Sequence, residues 1–120
     1  MPKTFQDFVA DAKSRIREVT ANEVKQRLAV GDGATILDVR EESDFAKGHI
    51  LGATHLSRGV LELKAPKMLP NPNQEIICYC GGGSRSALAA DVLQQMGYTN
   101  VVSMTGGFSA WTDANGAVET

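Results

Sequence analysis

The segment Ile76-Ile77-Cys78-Tyr79-Cys80-Gly81-Gly82-Gly83-Ser84-Arg85-Ser86 runs from an apolar stretch into three glycines and then into the polar opening of a helix. Its first part is β-branched and aromatic, which suits a pleated strand buried on both faces. Beyond the glycines, apolar residues recur at Leu88, Ala89, Val92, Leu93 and Met96, and Gly97 closes the run. That spacing predicts a strand over 75–80, a turn over 81–83 and a helix over 85–96. Working outward, Val101-Val102 and Thr35-Ile36-Leu37-Asp38-Val39 read as further strands, and 53–56 as a short one. Between them lie helical stretches. Thr20 and Glu23 have capping-box spacing, with Val24 and Leu28 on the buried face and a stop at Gly31-Asp32-Gly33. Residues 41–47 predict a short helix ended by Gly48, and 58–64 another, followed by a surface loop with Pro66, Pro70 and Pro72. Phe108 to Trp111 forms a last short helix, and the polar tail from Thr112 is expected to fray. At the other end, Phe5, Phe8, Val9, Ala12 and Ile16 have helical period, with Thr4 as N-cap. Strands alternating with helices predict an α/β fold: a short parallel sheet of about five strands flanked by helices on both faces.

The chain has 120 residues, 42% hydrophobic and 22% charged, which is room for one globular domain. Twelve basic residues stand against 14 acidic ones, for a net charge of −2. No basic excess exists for nucleic acid or an anionic membrane. The longest apolar run, Ile76 to Cys80, is five residues, against about 20 for a bilayer span. Met1-Pro2-Lys3-Thr4 does not open a secretion signal, and a cytoplasmic protein is expected. Cys78 and Cys80 are too close in sequence to staple distant segments, which fits free thiols in a reducing compartment.

In an open α/β sheet, ligands bind beyond the carboxyl ends of the strands, and Cys80 stands there. Gly81, Gly82 and Gly83 free the backbone to turn several amides inward as an anion nest. The following helix adds its unpaired amides and positive dipole end, and Arg85 adds a permanent charge with a bidentate fork. Together these favour a thiolate and lower the Cys80 pKa. The same donors hold an anionic substrate. Each feature alone is compatible with a plain structural loop. Their coincidence at a strand–loop–helix junction favours an active site with Cys80 as nucleophile and Gly81, Gly82, Gly83, Ser84, Arg85 and Ser86 as substrate-binding residues.

CGGGSRS (80–86) resembles the active-site loop of single-domain rhodaneses, the thiosulfate sulfurtransferase family. Leu37-Asp38-Val39-Arg40 is similar to that family's strand before its first signature, and Phe45-Ala46-Lys47-Gly48-His49-Ile50-Leu51-Gly52-Ala53 to the signature itself. Gly106-Gly107-Phe108 with Trp111 resembles the C-terminal mark. Leu51 stands where the family usually has proline. The resemblance covers residues 20–112 and implies one domain over 1–120, with 1–19 as helical lead-in and 113–120 as tail. It also implies that the Cys80 thiolate takes the outer sulfur of thiosulfate and passes it from a persulfide to cyanide or a thiol. No cofactor and no metal are needed, because the thiolate is already formed. A thiosulfate or organic persulfide donor and a thiophilic acceptor are the expected partners. The other readings are a sulfur carrier or binding module, and a cysteine phosphatase or arsenate reductase. The last class has five residues between Cys and Arg, and here there are four, Gly81 to Ser84.

Other residues have plainer readings. Cys78 is a small core residue or a resolving thiol. Cys78, Cys80, His49 and His55 lack zinc-ligand spacing. Asp38 and Arg40 leave a buried strand near Cys80, as an ion pair bracing the loops or as substrate contacts. His49 orders its turn, and His55 carries no assigned role. Phe108 and Trp111 pack the last helix or wall the pocket. The N-terminal apolar stripe packs on its own domain or on a second copy, so monomer and homodimer both stand.

Overall fold

Two helices start where their capping chemistry puts them. Thr4 and Thr20 accept the amides of Asp7 and Glu23, whose carboxylates accept the amides of Thr4 and Thr20. They open α1 (Phe5–Lys13) and α2 (Ala21–Ala29). The computed structural model describes residues 1–31 and 33–120, so the turn expected at Gly31-Asp32-Gly33 lies partly outside the described residues. The remaining helices are α3 (Glu42–Lys47), α4 (Leu61–Met68) after a 3-10 turn at Arg58–Val60, α5 (Ser84–Gln95) and α6 (Gly107–Asp113).

The strands are β1 (Arg17–Val19), β2 (Thr35–Asp38), β3 (His49–Ile50), β4 (Thr54–His55), β5 (Ile76–Tyr79), β6 (Val101–Met104) and β7 (Val118–Glu119). Five of them form one parallel sheet in the order β1-β6-β5-β2-β4, as the alternating pattern predicts. β5 is central, with Cys78 in register with Leu37 on one side and Ser103 on the other. One face of the sheet is covered by α4 and α5 through Leu61, Ala65, Ala89, Ala90 and Leu93; the other is covered by α2 and α6 through Ala21, Val24 and Trp111. β2, β5 and β6 are therefore buried on both faces apart from the partly exposed Thr35, which is why they read as mostly apolar runs, with Asp38 and Ser103 as buried polar members.

Four local expectations are corrected. α1 stops at Lys13, and the chain then enters β1 on the sheet edge, a strand of three mostly exposed residues with no apolar signal. Cys80 is the first residue beyond the β5 ladder and not its last member. Pro66 lies inside α4 and not in the loop after it. The ring removes one helical hydrogen bond, but Leu61, Ala65 and Leu69 are all buried on the sheet, and their packing decides the outcome. The tail is not frayed. β7 pairs antiparallel with β3, and the Trp111 indole N–H donates to the Ala117 carbonyl at 2.9 Å. No helix among the described residues is long and apolar enough to cross a membrane.

Candidate active site

β5 delivers Cys80 to the carboxyl edge of the sheet, and the glycine loop folds back over its sulfur. The Gly83 amide donates to Cys80 Sγ at 3.1 Å and the Ser86 amide at 3.3 Å, while Ser86 Oγ lies 3.5 Å away. Cys80 is 1% exposed; above it Gly81 is half-buried and Gly82 exposed. Burial pushes the thiol pKa up. The Ser86 hydroxyl and the amides of Ser86, Gly83 and Gly82 act against burial and prevail, holding the thiol below its ordinary value of 9.0. Hydrogen bonds to a charged acceptor are worth about 1.5–3 kcal/mol each, so several of them outweigh the desolvation of one sulfur. The loop also needs glycine for its shape. Gly83 sits at φ +101° as the cap of α5, and a Cβ there would meet the Gly106 amide nitrogen at 3.0 Å.

The predicted binding residues divide. Gly83 and Ser86 bond the sulfur, and Gly82 contributes its amide dipole. Gly81 lines the loop, with Arg85 Nη2 3.6 Å from where its Cβ would be. Among the described residues the Arg85 guanidinium has no hydrogen-bond or ion-pair partner, which leaves its fork open beside the loop. Of the two loop hydroxyls only Ser86 reaches the sulfur; Ser84 does not.

Asp38, Arg40 and His49 brace neighbouring loops. Arg40 Nη2 donates to Asp38 Oδ2 at 2.8 Å and to the Gly48 carbonyl at 2.7 Å, with both side chains buried. The Tyr79 hydroxyl donates to Asp38 Oδ2 at 2.6 Å and accepts from the Ile50 amide at 3.1 Å. Arg40 also lies over the Phe108 ring, 4.4 Å from its centroid. The pair is thus an ion pair tying β2, the 48–50 turn and α6 together. His49 stacks on Phe45 at 3.6 Å, with Nδ1 2.8 Å from the Phe45 carbonyl, and so orders its turn. His55 Nε2 lies 2.8 Å from the Arg40 carbonyl. Cys78 is fully buried and its thiol is pushed up to about 12, by burial first and then by Cys80. That makes it a core residue.

Two residues have a place at the loop that the sequence did not reveal: Gly107, read only as part of the C-terminal mark, and Ser103. Gly107 lies flush against the loop: the Phe108 amide donates to the Cys80 carbonyl at 2.7 Å and the Ser109 amide to the Gly81 carbonyl at 3.2 Å. Ser103 on β6 is fully buried and donates to Ser86 Oγ at 2.8 Å. Its signal was a lone hydroxyl in the otherwise apolar strand Val101-Val102-Ser103-Met104.

The rhodanese-like domain family matches residues 20–114. This chain belongs to the rhodanese family. The rhodanese is 40% identical over 89 residues to the thiosulfate sulfurtransferase GlpE of Pseudomonas entomophila, covering 72% of this chain and 79% of that one. It is 34% identical over 99 residues to the putative sulfur carrier protein YrkF of Bacillus subtilis, covering 82% of this chain but 52% of that protein, so it spans about half of YrkF's length. A solved structure from Rhodopseudomonas palustris, RPA3614, described as a protein of unknown function and possible tyrosine phosphatase, superposes with a TM-score of 0.87 at 33% identity over 99% of both chains. The chemistry of this rhodanese is of the sulfurtransferase class in general.

Proposed function

We propose that this rhodanese moves a sulfane sulfur through a persulfide on Cys80, with thiosulfate as donor and a thiol or cyanide as acceptor. The observation that carries the reading is the cradle on Cys80 Sγ, whose amides and hydroxyl favour the thiolate despite burial. In the first step the thiolate attacks the outer sulfur of thiosulfate. A sulfur–sulfur bond forms to Cys80, the bond to the sulfonate sulfur breaks, and sulfite leaves with the electron pair. In the second step the acceptor attacks the terminal sulfur and Cys80 leaves as thiolate. The first step needs no general base, because Cys80 already reacts as a thiolate; in the second a thiol acceptor attacks as its thiolate, having given its proton to solvent. The inward amides stabilise the negative sulfur in both resting and persulfide states. Arg85, without a partner among the described residues, is the group suited to the sulfonate end. The two free cysteines suit a reducing, cytoplasmic setting.

Intact-protein mass spectrometry after adding thiosulfate tests this directly. The expected result is a gain of one sulfur atom, removed by cyanide or a reducing thiol and absent in Cys80→Ser. No gain by folded protein with reduced Cys80 removes thiosulfate as donor. One feature favours a second reading, in which the domain takes sulfur from an organic persulfide or carries it to a partner: positions 81–84 hold no charged side chain, so little in the loop selects a dianion. Turnover with thiosulfate and with glutathione persulfide separates the two, and a strong preference for thiosulfate sinks the second. Phosphatase chemistry is the weaker alternative, because four residues between Cys80 and Arg85 make a small cradle for a tetrahedral phosphate.

A further inference from the structure

Ser103 is the one polar side chain on β6, between strands and under α5, and it is fully buried. A hydroxyl in such a place destabilises the fold unless it is bonded. Among the described residues its Oγ has a single hydrogen-bond partner, Ser86 Oγ at 2.8 Å, a length in the centre of the range for such bonds. Ser86 is also fully buried, and its amide and Oγ both converge on Cys80 Sγ, at 3.3 and 3.5 Å. The Ser103 proton therefore goes to Ser86 Oγ. Having accepted it, Ser86 has one proton of its own left to place. A helical serine otherwise turns that proton back to a carbonyl one turn earlier; here the sulfur takes it. This two-hydroxyl chain is best satisfied when the sulfur accepts and does not donate, and a thiolate is the stronger acceptor.

We propose that Ser103 is a positioning residue for Cys80: by donating to Ser86 Oγ it points the Ser86 hydroxyl at the sulfur and holds the nucleophile in its reactive form. The inference rests on Cys80 being the nucleophile. Ser103 touches neither substrate nor sulfur, and it acts through Ser86. The ionisable groups around the cradle are Cys78 on β5, Asp38 and Arg40 at the end of β2, and Arg85 on α5. Asp38 and Arg40 are paired with each other, and none of the four bonds to either serine. β6 itself contributes no ionisable group. Replacing Ser103 therefore alters the hydroxyl chain and leaves the charges in place.

The test is the pH dependence of Cys80 alkylation by iodoacetamide, followed by mass spectrometry of the peptide that carries Cys80. Ser103→Ala is expected to raise the midpoint by roughly half to one pH unit, the scale of one lost neutral hydrogen bond. Ser86→Ala is expected to raise it at least as far, and adding Ser103→Ala to Ser86→Ala is expected to change nothing more. Ser103→Thr keeps the hydroxyl on a strand residue and is expected to retain the wild-type midpoint. The proposal is overturned by a wild-type midpoint in folded Ser103→Ala, by an equal shift with and without Ser86, or by a Thr variant that titrates like Ala. None of these readouts uses a sulfur donor. Wild-type protein that gains no sulfur from any donor would remove the sulfurtransferase reading and leave the titrations interpretable.

Discussion

At Gly107 the Cys80 carbonyl oxygen stands 2.3 Å from where a Cβ would be, and the backbone is at φ +55°. Gly107→Ala therefore meets two costs: left-handed strain of about 1–2 kcal/mol and overpacking of about 1–3 kcal/mol against a backbone that cannot rotate away. A drop in melting temperature of roughly 10 °C is expected, with the loop displaced and Cys80 reactivity reduced. Gly52 is the control. It has φ +83° with nothing within 4 Å of its virtual Cβ, so Gly52→Ala meets the strain alone, and the difference between the two melts isolates the contact. Arg85→Lys is the opposite kind of change. The guanidinium has no partner among the described residues, so its loss costs the free protein nothing and the melt is expected to be unchanged. Losing a bidentate fork on an anion is expected to lower kcat/KM for thiosulfate roughly ten- to a hundredfold. Wild-type turnover in Arg85→Lys would exclude the arginine as a substrate clamp. Cys80, its glycine loop and Arg85 were legible in sequence as a candidate site because their chemistry is local. Ser103 and Gly107 were not, because they reach the loop only through sheet register and the closing turn.

α1 shows how an element is placed by a few contacts. Val9 and Ala12 are buried, while Phe5 and Phe8 stay about half exposed, so its apolar stripe is split and only half of it seats the helix. The rest of the anchoring is electrostatic. Arg15, just past α1, donates from Nε and Nη2 to the Asp91 carboxylate on α5 at 3.0 and 2.9 Å. The Arg15 hydrogen bond holds Asp91 below its ordinary value of 3.8. A carboxylate with a depressed native pKa contributes its stability fully above the unfolded value and loses it as the pH falls through the native one. The α1–α5 contact is thus expected to be intact above about pH 4 and to weaken progressively below it. Asp91→Asn is expected to reduce that acid dependence to what the exposed Asp11–Arg15 pair within the same segment retains and, because Arg15 is half exposed, to cost about 0.5–1 kcal/mol at neutral pH. Hydrogen exchange of the α1 amides against pH reads both; an acid dependence in Asp91→Asn as large as in the wild type would assign the effect elsewhere. Helices α1, α2, α3, α5 and α6 were readable from caps and period. β1 was not, since Arg17, Glu18 and the half-buried Val19 are too short a run to carry a pattern, and Pro66 misled because the packing of Leu61, Ala65 and Leu69 overrode backbone propensity.

The whole molecule is closed by its last residues. The chain turns at Asn115, where φ is +59°, lays Gly116 flat on the Trp111 indole, and pairs β7 with β3. The Leu51 amide donates to the Ala117 carbonyl at 3.1 Å, and Glu119 Oε2 accepts the Gly52 amide at 2.8 Å. Leu51 is the position where the rhodanese signature usually has proline, and a proline has no N–H to give. The departure from the family pattern is therefore matched by a bond to a tail that lies beyond the matched residues 20–114. The braced segment is also the one that Arg40 grips at the Gly48 carbonyl and Tyr79 at the Ile50 amide, so the tail supports the segment on which that buried network leans. Leu51→Pro is expected to lose one hydrogen bond, about 0.5–1.5 kcal/mol, and to speed hydrogen exchange in 117–119 while leaving Cys80 alkylation unchanged. Truncation after Ala114 is expected to do more: it uncovers Trp111, whose emission then shifts to the red, and it lowers the melting temperature further than Leu51→Pro does. A Leu51→Pro variant with wild-type exchange in the tail would mean that the β3–β7 ladder and the Trp111 bond hold the strap without the Leu51 amide, and that the residue at 51 is free to follow the family.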